Sequence, residues 1–444
     1  MRILQVVHSF PSIRRAGVEL YTYYLSKELA EKHEVHILYP IFEKKSKKEL
    51  WVRDKYEDGL YIHEIVFPTR FIDKLKRLIN SMFIENTYLN SRIDPLFENL
   101  LDEINPDIVH FQHVIGLSAS LIKISKQKNV PTVLTLHDYW FMCPTTNLLR
   151  WDYSLCNGPY PKRCQLCWSK KHSEALAESL AKFYIPIPKS LTLRPLEVTL
   201  RALNSPTKFE QRECYLKSLL LMADKIVTPS QFLMSIFTKY GVLSDKIIYS
   251  ENGYNLEIFK GFRKKKKDTD KMIFGFAGSV TPIKGVHILI EAFLKVPEEK
   301  AELRIYGGYN SNSPYVRELF KKIQGKSNIH FLGKYEDPKV PFSEIDVLVF
   351  PSITYENCPL VLAEARATRT PVIASNLGAI PEFVENNRVG FLFKPNDPSD
   401  LHEKIMYLIE NPNLITKFKK NIKLPKSISE QANEIERIYM SLVT

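Results

Sequence analysis

Short apolar segments and amphipathic helical patterns alternate along this chain in two separate series, and this alternation limits the folds open to it. Residues 3 to 7 predict a buried strand, a loop with a glycine follows, and apolar residues then recur at helical spacing over residues 18 to 32. The succession restarts with a strand at residues 272 to 277, the loop GSVTPIKG and a helix from about Val286. Strand, loop and helix in this order build parallel, doubly wound sheets. The sequence therefore predicts an α/β fold with two such sheets.

The length supports two domains, because 444 residues suffice for two cores of ordinary size. We predict a first domain over residues 1–255, a second over 256–425 and a final helix over 426–444. Within the first domain, the stretch from about 143 to 212 combines four cysteines with a basic segment that contains several prolines. We expect the basic segment, residues 160 to 212, to help bind a large anionic acceptor or to seat the protein on a membrane.

The formal net charge of +12 and the pI near 9.1 raise the alternative of a nucleic-acid-binding protein. The sequence shows neither a groove-reading helix nor an aromatic platform for bases, so we expect no nucleic-acid partner. Part of the charge lies in the run RKKKK at residues 263–267, which predicts a solvated linker. An anionic membrane surface or a diphosphate-linked acceptor accounts equally well for a basic balance.

The hydropathy pattern bears on location. The opening MRILQVVHSF has only a short apolar run, and no apolar run approaches the roughly 20 residues that span a bilayer. We therefore expect a cytoplasmic protein, either free or peripheral on the cytoplasmic face of the membrane. Residues 71 to 83 predict a basic amphipathic helix that packs on its own domain, with binding to a membrane surface as the alternative.

The stretch from Pro351 to Glu382 is the best candidate for a ligand site. It places Glu356 and Glu364 around a predicted helix start, with Asn357 as the cap and Pro359 in the first turn. Amides at such a helix start favour an anion, whereas the two carboxylates need neutral partners such as hydroxyls. The combination suits a ligand that carries phosphates and several hydroxyls, which describes a nucleotide sugar.

The loop GSVTPIKG predicts a second phosphate site. Lys284, next to Gly285, offers a mobile cation at a helix start. Such a cation suits a diphosphate whose negative charge grows as it leaves.

Three histidines stand near the carboxyl ends of predicted strands, which is where doubly wound sheets bind ligands. His110 and His113 come from one strand, and His137 comes from another. His137 is the better candidate, because it is followed by Asp138 and leaves an apolar strand at that edge. A satisfied core position is the alternative for each lone histidine.

Four cysteines follow in short order, namely Cys143, Cys156, Cys164 and Cys167. The last two have the C-x2-C spacing with which two thiolates bind one tetrahedral metal ion. A cytoplasmic location argues against disulfides. The sequence thus predicts either a structural zinc site or four free thiols.

The glutamate pair and its surroundings carry a family resemblance. The spacing of Glu356 and Glu364, with the flanking segments PS, EN-PL and PVIAS-G-IPE, resembles the E-x7-E region of family 4, the retaining nucleotide-sugar glycosyltransferases. HDYWFMCP resembles one bacterial branch of this family, whose enzymes assemble glycans. The resemblance implies the GT-B fold, in which two Rossmann-like domains with parallel sheets face each other across a cleft and the final helix crosses back to the first domain. It also implies catalysis without a metal cofactor.

The resemblance further implies roles for individual residues. Lys284 would hold the donor diphosphate, Glu364 the ribose hydroxyls, and Glu356 the sugar, with His137 against the transferred sugar. The donor-binding set implied in this way is Gly17, Ser279, Lys284, Glu356, Asn357, Cys358, Pro359, Leu360 and Glu364. The acceptor-side candidates are His110, His113 and Asp138.

Ser279 departs from the family pattern, and the role of Glu19 has two alternatives. Ser279 stands where the family usually has an arginine in its G-R-x4-K-G loop, so we expect Arg14 or Arg15 to supply the missing charge to the diphosphate. Glu19 lies in the segment that resembles the family's G-x-E. We expect it to be either a site residue or a solvated residue in the first turn of its helix.

The predicted function is transfer of a hexose-type sugar, with retention of configuration, from a nucleotide diphosphate sugar to a glycan or polyprenyl-diphosphate-linked acceptor. A glycoside hydrolase with Glu356 and Glu364 as its two carboxylates is the competing enzyme, but it leaves Lys284 without a role. A phosphorylase or an epimerase with the same fold is a further alternative.

Overall fold

A computed structural model describes residues 1–13, 16–43, 49–68, 82–181, 189–267 and 269–443. The chain forms two compact units. The first consists of Met1–Pro229, Met234–Ser250 and Ile428–Thr444, and the second of Ser230–Leu233 and Glu251–Ser427. Two predictions fall outside the described residues. They concern Arg14 and Arg15, expected to supply charge to the diphosphate, and most of the amphipathic segment at residues 71–83.

The first unit is built on an eight-stranded sheet. Its strands are β1 (Arg2–Val6), β2 (Glu34–Glu43), β3 (Trp51–Glu57), β4 (Leu60–Pro68), β5 (Ile108–Phe111), β6 (Thr132–Thr135), β7 (Lys225–Thr228) and β8 (Ile247–Tyr249). The strand order is β3-β4-β2-β1-β5-β6-β7-β8, and every neighbouring pair is parallel except β3 and β4. The central strands are buried along their whole length, as expected for a parallel sheet covered on both faces.

The edge hairpin of β3 and β4 was not predicted. The two strands join through Asp58 and Gly59, both with positive φ, the geometry that Asp-Gly turns favour. Arg53 and Lys55 direct their charges at Glu64, which is only 3% exposed and lies 2.6 Å from Nε of Arg53 and 2.7 Å from Nζ of Lys55. Pairing with one buried carboxylate lets these charged residues occupy a strand.

Helices flank this sheet. They are α1 (Gly17–Ala30), α2 (Asp94–Ile104), α3 (Ser120–Gln127), α4 (Pro161–Ala181), α5 (Lys189–Leu203), α6 (Pro206–Met222), α7 (Gln231–Tyr240) and, from the end of the chain, α15 (Ile428–Val443). The basic stretch after the cysteines is helical, and α4, α5 and α6 pack around a small apolar cluster that includes Trp168, Leu200 and Phe209. Helix α15 packs against α1 and adds Ile435 and Tyr439 to the core of the sheet.

The second unit contains a six-stranded sheet. Its strands are β9 (Met272–Ala277), β10 (Ala301–Tyr306), β11 (Ile329–Gly333), β12 (Val347–Phe350), β13 (Val372–Ser375) and β14 (Gly390–Phe393). All neighbours are parallel, in the order β11-β10-β9-β12-β13-β14. Its helices are α8 (Val286–Phe293), α9 (Pro314–Lys322), α10 (Lys339–Glu344), α11 (Leu360–Ala367), α12 (Ile380–Phe383), α13 (Pro398–Glu410) and α14 (Asn413–Asn421).

The basic run is exposed and lies outside any helix or strand, as predicted for a solvated linker, but three of its lysines have partners in the second unit. The ammonium of Lys264 donates hydrogen bonds to the carbonyls of Phe342 and Ile345, at the end of α10. Its neighbours also have partners, since Lys265 pairs with Glu344 at 2.5 Å and Lys267 pairs with Asp346. Free carbonyls at a helix end attract cations, so the run is held against the second unit.

Within the described ranges, no helix is both long and apolar enough to cross a membrane.

Candidate functional site

Lys284 lies in the loop that joins β9 to α8. The loop is held close to the end of β12, where the amide of Ile353 donates to the carbonyl of Ile283 at 3.0 Å. Gly285 has φ of 71°, and a Cβ atom there would lie 1.8 Å from the carbonyl oxygen of Pro351. Only glycine fits this approach, so Gly285 brings Lys284 beside the segment that follows β12.

Glu356 is the partner of that lysine. Nζ of Lys284 lies 2.7 Å from Oε1 of Glu356, and Oγ of Ser352 donates to the same oxygen at 2.8 Å. Both charged side chains are partly shielded, with 29% of the Lys284 side chain and 14% of the Glu356 side chain exposed. The structure thus brings together a cation and a carboxylate that the sequence places 72 positions apart. Ser352 was not predicted, although it stands in the PS segment.

The helix after Glu356 begins later than predicted. Helix α11 starts at Leu360, with Pro359 at the cap position and no side-chain cap, so the prediction that Asn357 caps the helix is wrong. Asn357 is buried and Cys358 is partly buried, and burial raises the pKa of the Cys358 thiol to about 12. The turn at Gly378 supports the segment from the other side, since the amide of Ala379 donates to the carbonyl of Glu356 at 3.0 Å.

Glu364 lies one turn inside α11, not two turns as the predicted helix start implied. Burial raises the pKa of this carboxyl to about 7, against a smaller opposite effect of Tyr254. The hydroxyl of Tyr254 lies 3.3 Å from Oε1 of Glu364. A carboxyl group with such a pKa changes its charge state near neutral pH, so a ligand that donates hydrogen bonds to it controls its protonation.

Ser279 sits on an exposed turn between β9 and the Lys284 loop. The backbones of two glycines meet here, and a Cβ atom at Gly307 would lie 1.7 Å from the carbonyl oxygen of Gly278. The amides of Gly278 and Val280 donate to the carbonyls of Tyr306 and Gly308, at 3.0 and 3.1 Å, so this turn is tied to the end of β10. The arginines predicted to replace the missing charge lie outside the described residues, and their role stays a prediction.

In the first unit, a group of polar side chains follows the carboxyl ends of β1, β5 and β6. Nε2 of His8 lies 3.3 Å from Oε1 of Glu19, and the rings of His8 and His113 are 4.9 Å apart. Glu19 is 1% exposed, so the interpretation of this residue as solvated is wrong. His8 was not predicted, although it follows β1 as the other histidines follow their strands. Gly17 is the first residue of α1.

His113 and Asp138 form the second contact of this group. The amide of Ile115 donates to Nδ1 of His113 at 3.1 Å, so Nε2 carries the proton that faces Oδ2 of Asp138 at 3.3 Å. Burial opposes ionisation of Asp138, but His113 and the amide of Trp140 outweigh it and lower the pKa of that carboxyl. Asp138 is therefore an anion held by a histidine.

His110 and His137 are neutral. Burial, followed by the effect of neighbouring histidines, lowers the pKa of each to about 3. His110 is fully buried and bonds to Tyr439 and Thr135, which fits the alternative of a core position. His137 is partly exposed at the edge of the sheet, with Nε2 2.9 Å from Oε1 of Gln112.

The four clustered cysteines line one small cavity of about 30 Å³. Burial raises the pKa of the Cys164 thiol to about 12 and also raises that of Cys167. Across the part of the chain that the structure describes, no group of three or more histidine, cysteine or acidic side chains is arranged to hold a metal ion. The predicted zinc site at Cys143, Cys156, Cys164 and Cys167 is therefore not supported, and none of these four cysteines forms a disulfide.

Two family models match the chain. Residues 15–158 match Glycosyltransferase Family 4, and residues 257–424 match Glycosyl transferases group 1. The two matches do not overlap and together cover more than half of the 444 residues.

Curated relatives match over shorter stretches. A D-inositol 3-phosphate glycosyltransferase of Streptomyces scabiei is 28% identical over 189 residues, which are 38% of this chain and 42% of the relative. The capsular polysaccharide biosynthesis glycosyltransferase CapM of Staphylococcus aureus is 26% identical over 242 residues, which are 50% of this chain and 63% of CapM. The chain thus spans less than two thirds of the length of either relative.

A solved structure matches over nearly the whole chain. Anabaena HepE, crystallised with UDP and glucose, aligns with 99% of this chain and 100% of its own chain, with a TM-score of 0.61 and 16% identity. At this identity the match establishes the fold, two α/β units with parallel sheets, as in the GT-B glycosyltransferases. Taken with the two family models, this shows that the chain belongs to the family 4 glycosyltransferases with the GT-B fold.

Proposed function

We propose that the protein transfers a hexose-type sugar from a nucleotide diphosphate sugar to a glycan or lipid-linked acceptor, with retention of configuration. The observation that carries this proposal is the arrangement in the second unit, where Lys284 and Glu356 are in contact and Glu364 lies one turn into the following helix. These three side chains match the charge pattern of such a donor, which combines a diphosphate with two sets of hydroxyls.

Each side chain has a proposed part. Lys284 neutralises the diphosphate, whose charge increases as the bond to the sugar breaks. Glu356 accepts hydrogen bonds from hydroxyls of the sugar, and Glu364 accepts them from the ribose. The amides of Asn357, Cys358 and Leu360 lie at the start of α11, which favours negative charge.

The proposed chemistry is a front-face displacement. The bond between the anomeric carbon and the diphosphate oxygen breaks, and the acceptor oxygen bonds to the same face of that carbon. The acceptor proton passes to an oxygen of the leaving phosphate, so no protein nucleophile and no metal ion takes part. His137 contacts the transferred sugar in this proposal, and Asp138 and His113 belong to the acceptor side, whereas the buried His110 is left out.

The donor and acceptor are proposed from the relatives. HepE binds UDP and glucose, and CapM takes part in capsular polysaccharide biosynthesis. A UDP-hexose donor and a polyprenyl-diphosphate-linked glycan acceptor fit both names and the net charge of +12. We further propose a cytoplasmic protein that binds the anionic face of the membrane, where such an acceptor resides.

A binding screen and a product analysis test the proposal. Thermal shifts with UDP, ADP, GDP and their hexose conjugates should reveal stabilisation by one base class. Incubation of that nucleotide sugar with membrane extracts should then yield a glycoside whose anomeric configuration, read by NMR coupling constants, matches the donor. No stabilisation by any nucleotide would refute the donor assignment, and an inverted product would refute retention alone.

A further inference from the structure

We propose that a cavity in the first unit, between α1 and the turn of the β3–β4 hairpin, binds a sugar ring of the acceptor. The reacting end of the acceptor lies beside His137 in the function proposed above, so the cavity takes a sugar that precedes the reacting one. The inference rests on that function for the name of its ligand and deepens it, because an acceptor that fills both places is an oligosaccharide.

The cavity has a volume of about 230 Å³, whereas the cavity at the four cysteines has about 30 Å³. A cavity holds one water when it offers about 10–15 Å³, so this one has room for a molecule the size of a sugar ring. Three parts of the fold surround it, namely the loop after β1, helix α1 and the hairpin turn. The polar and aromatic side chains that line it are Phe10, Ser12, Tyr23, Tyr24, Glu57 and Asp58.

The floor and one wall of the cavity are apolar and fixed. Leu60 and Ile62, both on β4, are 0% and 2% exposed. The ring of Phe10 packs parallel to that of Tyr39, with centroids 5.1 Å apart, and edge to face with that of Tyr23 at 5.7 Å. Rings that are already held by their own packing offer a surface for C–H groups at little cost in entropy.

Polar groups stand at the rim. The hydroxyl of Tyr23 donates to Oδ2 of Asp58 at 2.6 Å, and burial, followed by this carboxylate, raises the pKa of Tyr23 to about 12. The hydroxyl of Tyr24 and the carboxylate of Glu57 have no side-chain hydrogen-bond partner among the residues that the structure describes. A hydroxyl that donates and accepts, next to a carboxylate that accepts, matches the hydroxyl groups of a sugar.

The charges of the cavity disfavour two other kinds of ligand. Glu57 and Asp58 repel a phosphate or any other anion. Carboxylates and aromatic rings would suit a cation, but the chain supplies its own, since Nζ of Lys27 lies 4.0 Å from Oδ1 of Asp58 and 5.9 Å from the ring centroid of Tyr23. With that cation in place, a neutral ligand with apolar faces and several hydroxyls fits best, and a sugar ring is such a ligand.

Helix α1 joins the cavity to the candidate site of the first unit. Leu20 lines the cavity, and its neighbour Glu19 contacts Nε2 of His8 at 3.3 Å. One residue further along, the ring of Tyr21 lies 5.1 Å from that of His137. The loop after β1, which follows His8, lines the cavity as well. A short glycan that reacts beside His137 therefore extends past His8 into the cavity.

Saturation-transfer NMR on the whole chain measures this site without any transfer reaction. The probes are the methyl glycosides of glucose, galactose, mannose and N-acetylglucosamine, with tetramethylammonium chloride as the cationic probe. We expect saturation of at least one glycoside and none of tetramethylammonium. Binding of tetramethylammonium alone, or of no probe at all, would overturn the proposal.

Two variants locate the binding. Tyr24→Ala removes one wall, and Leu20→Trp fills the space without removing a polar group, so each should weaken glycoside binding about tenfold or more. Tyr56→Ala is the matched control and should leave that affinity unchanged, since Tyr56 is 68% exposed, packs on Tyr61 and lies outside the cavity next to Glu57. Thermal unfolding shows whether the variants are folded. Wild-type affinity in both folded cavity variants would place the sugar elsewhere and overturn the proposal.

Titration with UDP separates this inference from the proposed function. Both cavity variants should bind UDP as the wild-type protein does, because the proposed donor site belongs to the second unit. A protein that binds a glycoside in the cavity but binds no nucleotide would refute the donor assignment and leave the sugar site standing. A protein that transfers sugar but binds none of the glycosides would refute the cavity alone.

Discussion

Lys284 forms an ion pair with Glu356 through a carboxylate oxygen that also accepts a hydrogen bond from Ser352. Nζ of Lys284 is 2.7 Å from Oε1 of Glu356, and Oγ of Ser352 is 2.8 Å from the same atom. A diphosphate that draws the ammonium away leaves Ser352 to hold the carboxylate in place. The ion pair therefore keeps both side chains oriented and partly shielded from solvent. In the proposed complex the diphosphate of the donor binds Lys284, and the sugar binds Glu356.

The first prediction concerns the cation. Lys284→Ala should weaken binding of UDP by about 10- to 100-fold, because a charge-assisted contact to phosphate is worth about 1.5–3 kcal/mol. Isothermal titration with UDP measures the change. Lys326→Ala is the control, since Lys326 pairs with Glu298 at 3.2 Å on the surface of the same unit and should leave UDP affinity unchanged. Equal affinity in both variants would remove Lys284 from the diphosphate site.

Glu356 should affect turnover more than affinity. Glu356→Gln keeps the shape of the side chain and removes its charge, so Lys284 loses its partner while the diphosphate can still hold it. We expect UDP affinity within about threefold of wild type and a fall in kcat of about 100-fold, of the size that loss of one transition-state contact produces. Steady-state kinetics with the UDP-sugar separate the two quantities. A variant with full turnover would contradict the proposed contact to the sugar.

The third prediction is a pH dependence of nucleotide binding. The pKa of Glu364 is raised to about 7, mainly by burial, so below that pH the carboxyl is protonated in the free protein. Ribose hydroxyls donate to the ionised form, and binding must then release a proton. The affinity for a UDP-hexose, whose doubly esterified diphosphate does not titrate in this range, should fall up to tenfold per pH unit below about 7 and level off above it.

Titration in buffers of different ionisation enthalpy measures the released proton directly. Glu364→Gln, which does not titrate, should remove both the proton release and the slope. A wild-type affinity that is constant from pH 5.5 to 8 would show that no ligand group depends on the charge of this carboxyl.

Local patterns were sufficient for most of the fold. The strand at Met272–Ala277 and the helix from Val286 begin and end where apolar runs and helical spacing predict them. The hairpin of β3 and β4 was missed because Arg53 and Lys55 suggest a solvated stretch, and the buried carboxylate that neutralises them comes from the next strand. The Asp-Gly pair at its turn was the available signal.

The site was only partly accessible to sequence reasoning. The E-x7-E motif predicts Glu356 and Glu364, and the loop before α8 predicts Lys284. No local sequence pattern predicts Tyr254. This tyrosine is 110 positions from Glu364, and its pairing depends on how distant segments pack. The contacts of Lys264 in the basic run were not predicted for the same reason, since its acceptors are carbonyls at the end of another helix.

The basic run supplies a prediction on stability. Lys264 and Lys266 are both exposed, but Lys264 donates to two carbonyls at the end of α10 and lies 3.4 Å from Oγ1 of Thr370. Lys264→Ala should lower the free energy of unfolding of the second unit by about 1–3 kcal/mol, because buried acceptors lose their donor. Lys266→Ala should change it by less than about 0.5 kcal/mol. Urea unfolding followed by fluorescence compares them, and equal stabilities would show that the contacts of Lys264 do not stabilise the second unit.

The last prediction concerns the glycine beside Lys284. Gly285 and Gly325 both have positive φ, of 71° and 82°, but a Cβ atom at Gly285 would lie 1.8 Å from the carbonyl oxygen of Pro351, whereas nothing lies within 4 Å of one at Gly325. Alanine at either position pays the backbone cost of about 1 kcal/mol. Only Gly285→Ala must also push the Lys284 loop away from the segment that carries Ser352 and Glu356. We expect it to lose at least tenfold in UDP affinity, beyond the loss of stability that Gly325→Ala shares. Calorimetric titration with UDP, set beside urea unfolding of both variants, separates the two effects, and equal UDP affinities would mean that the close approach at Pro351 does not position Lys284.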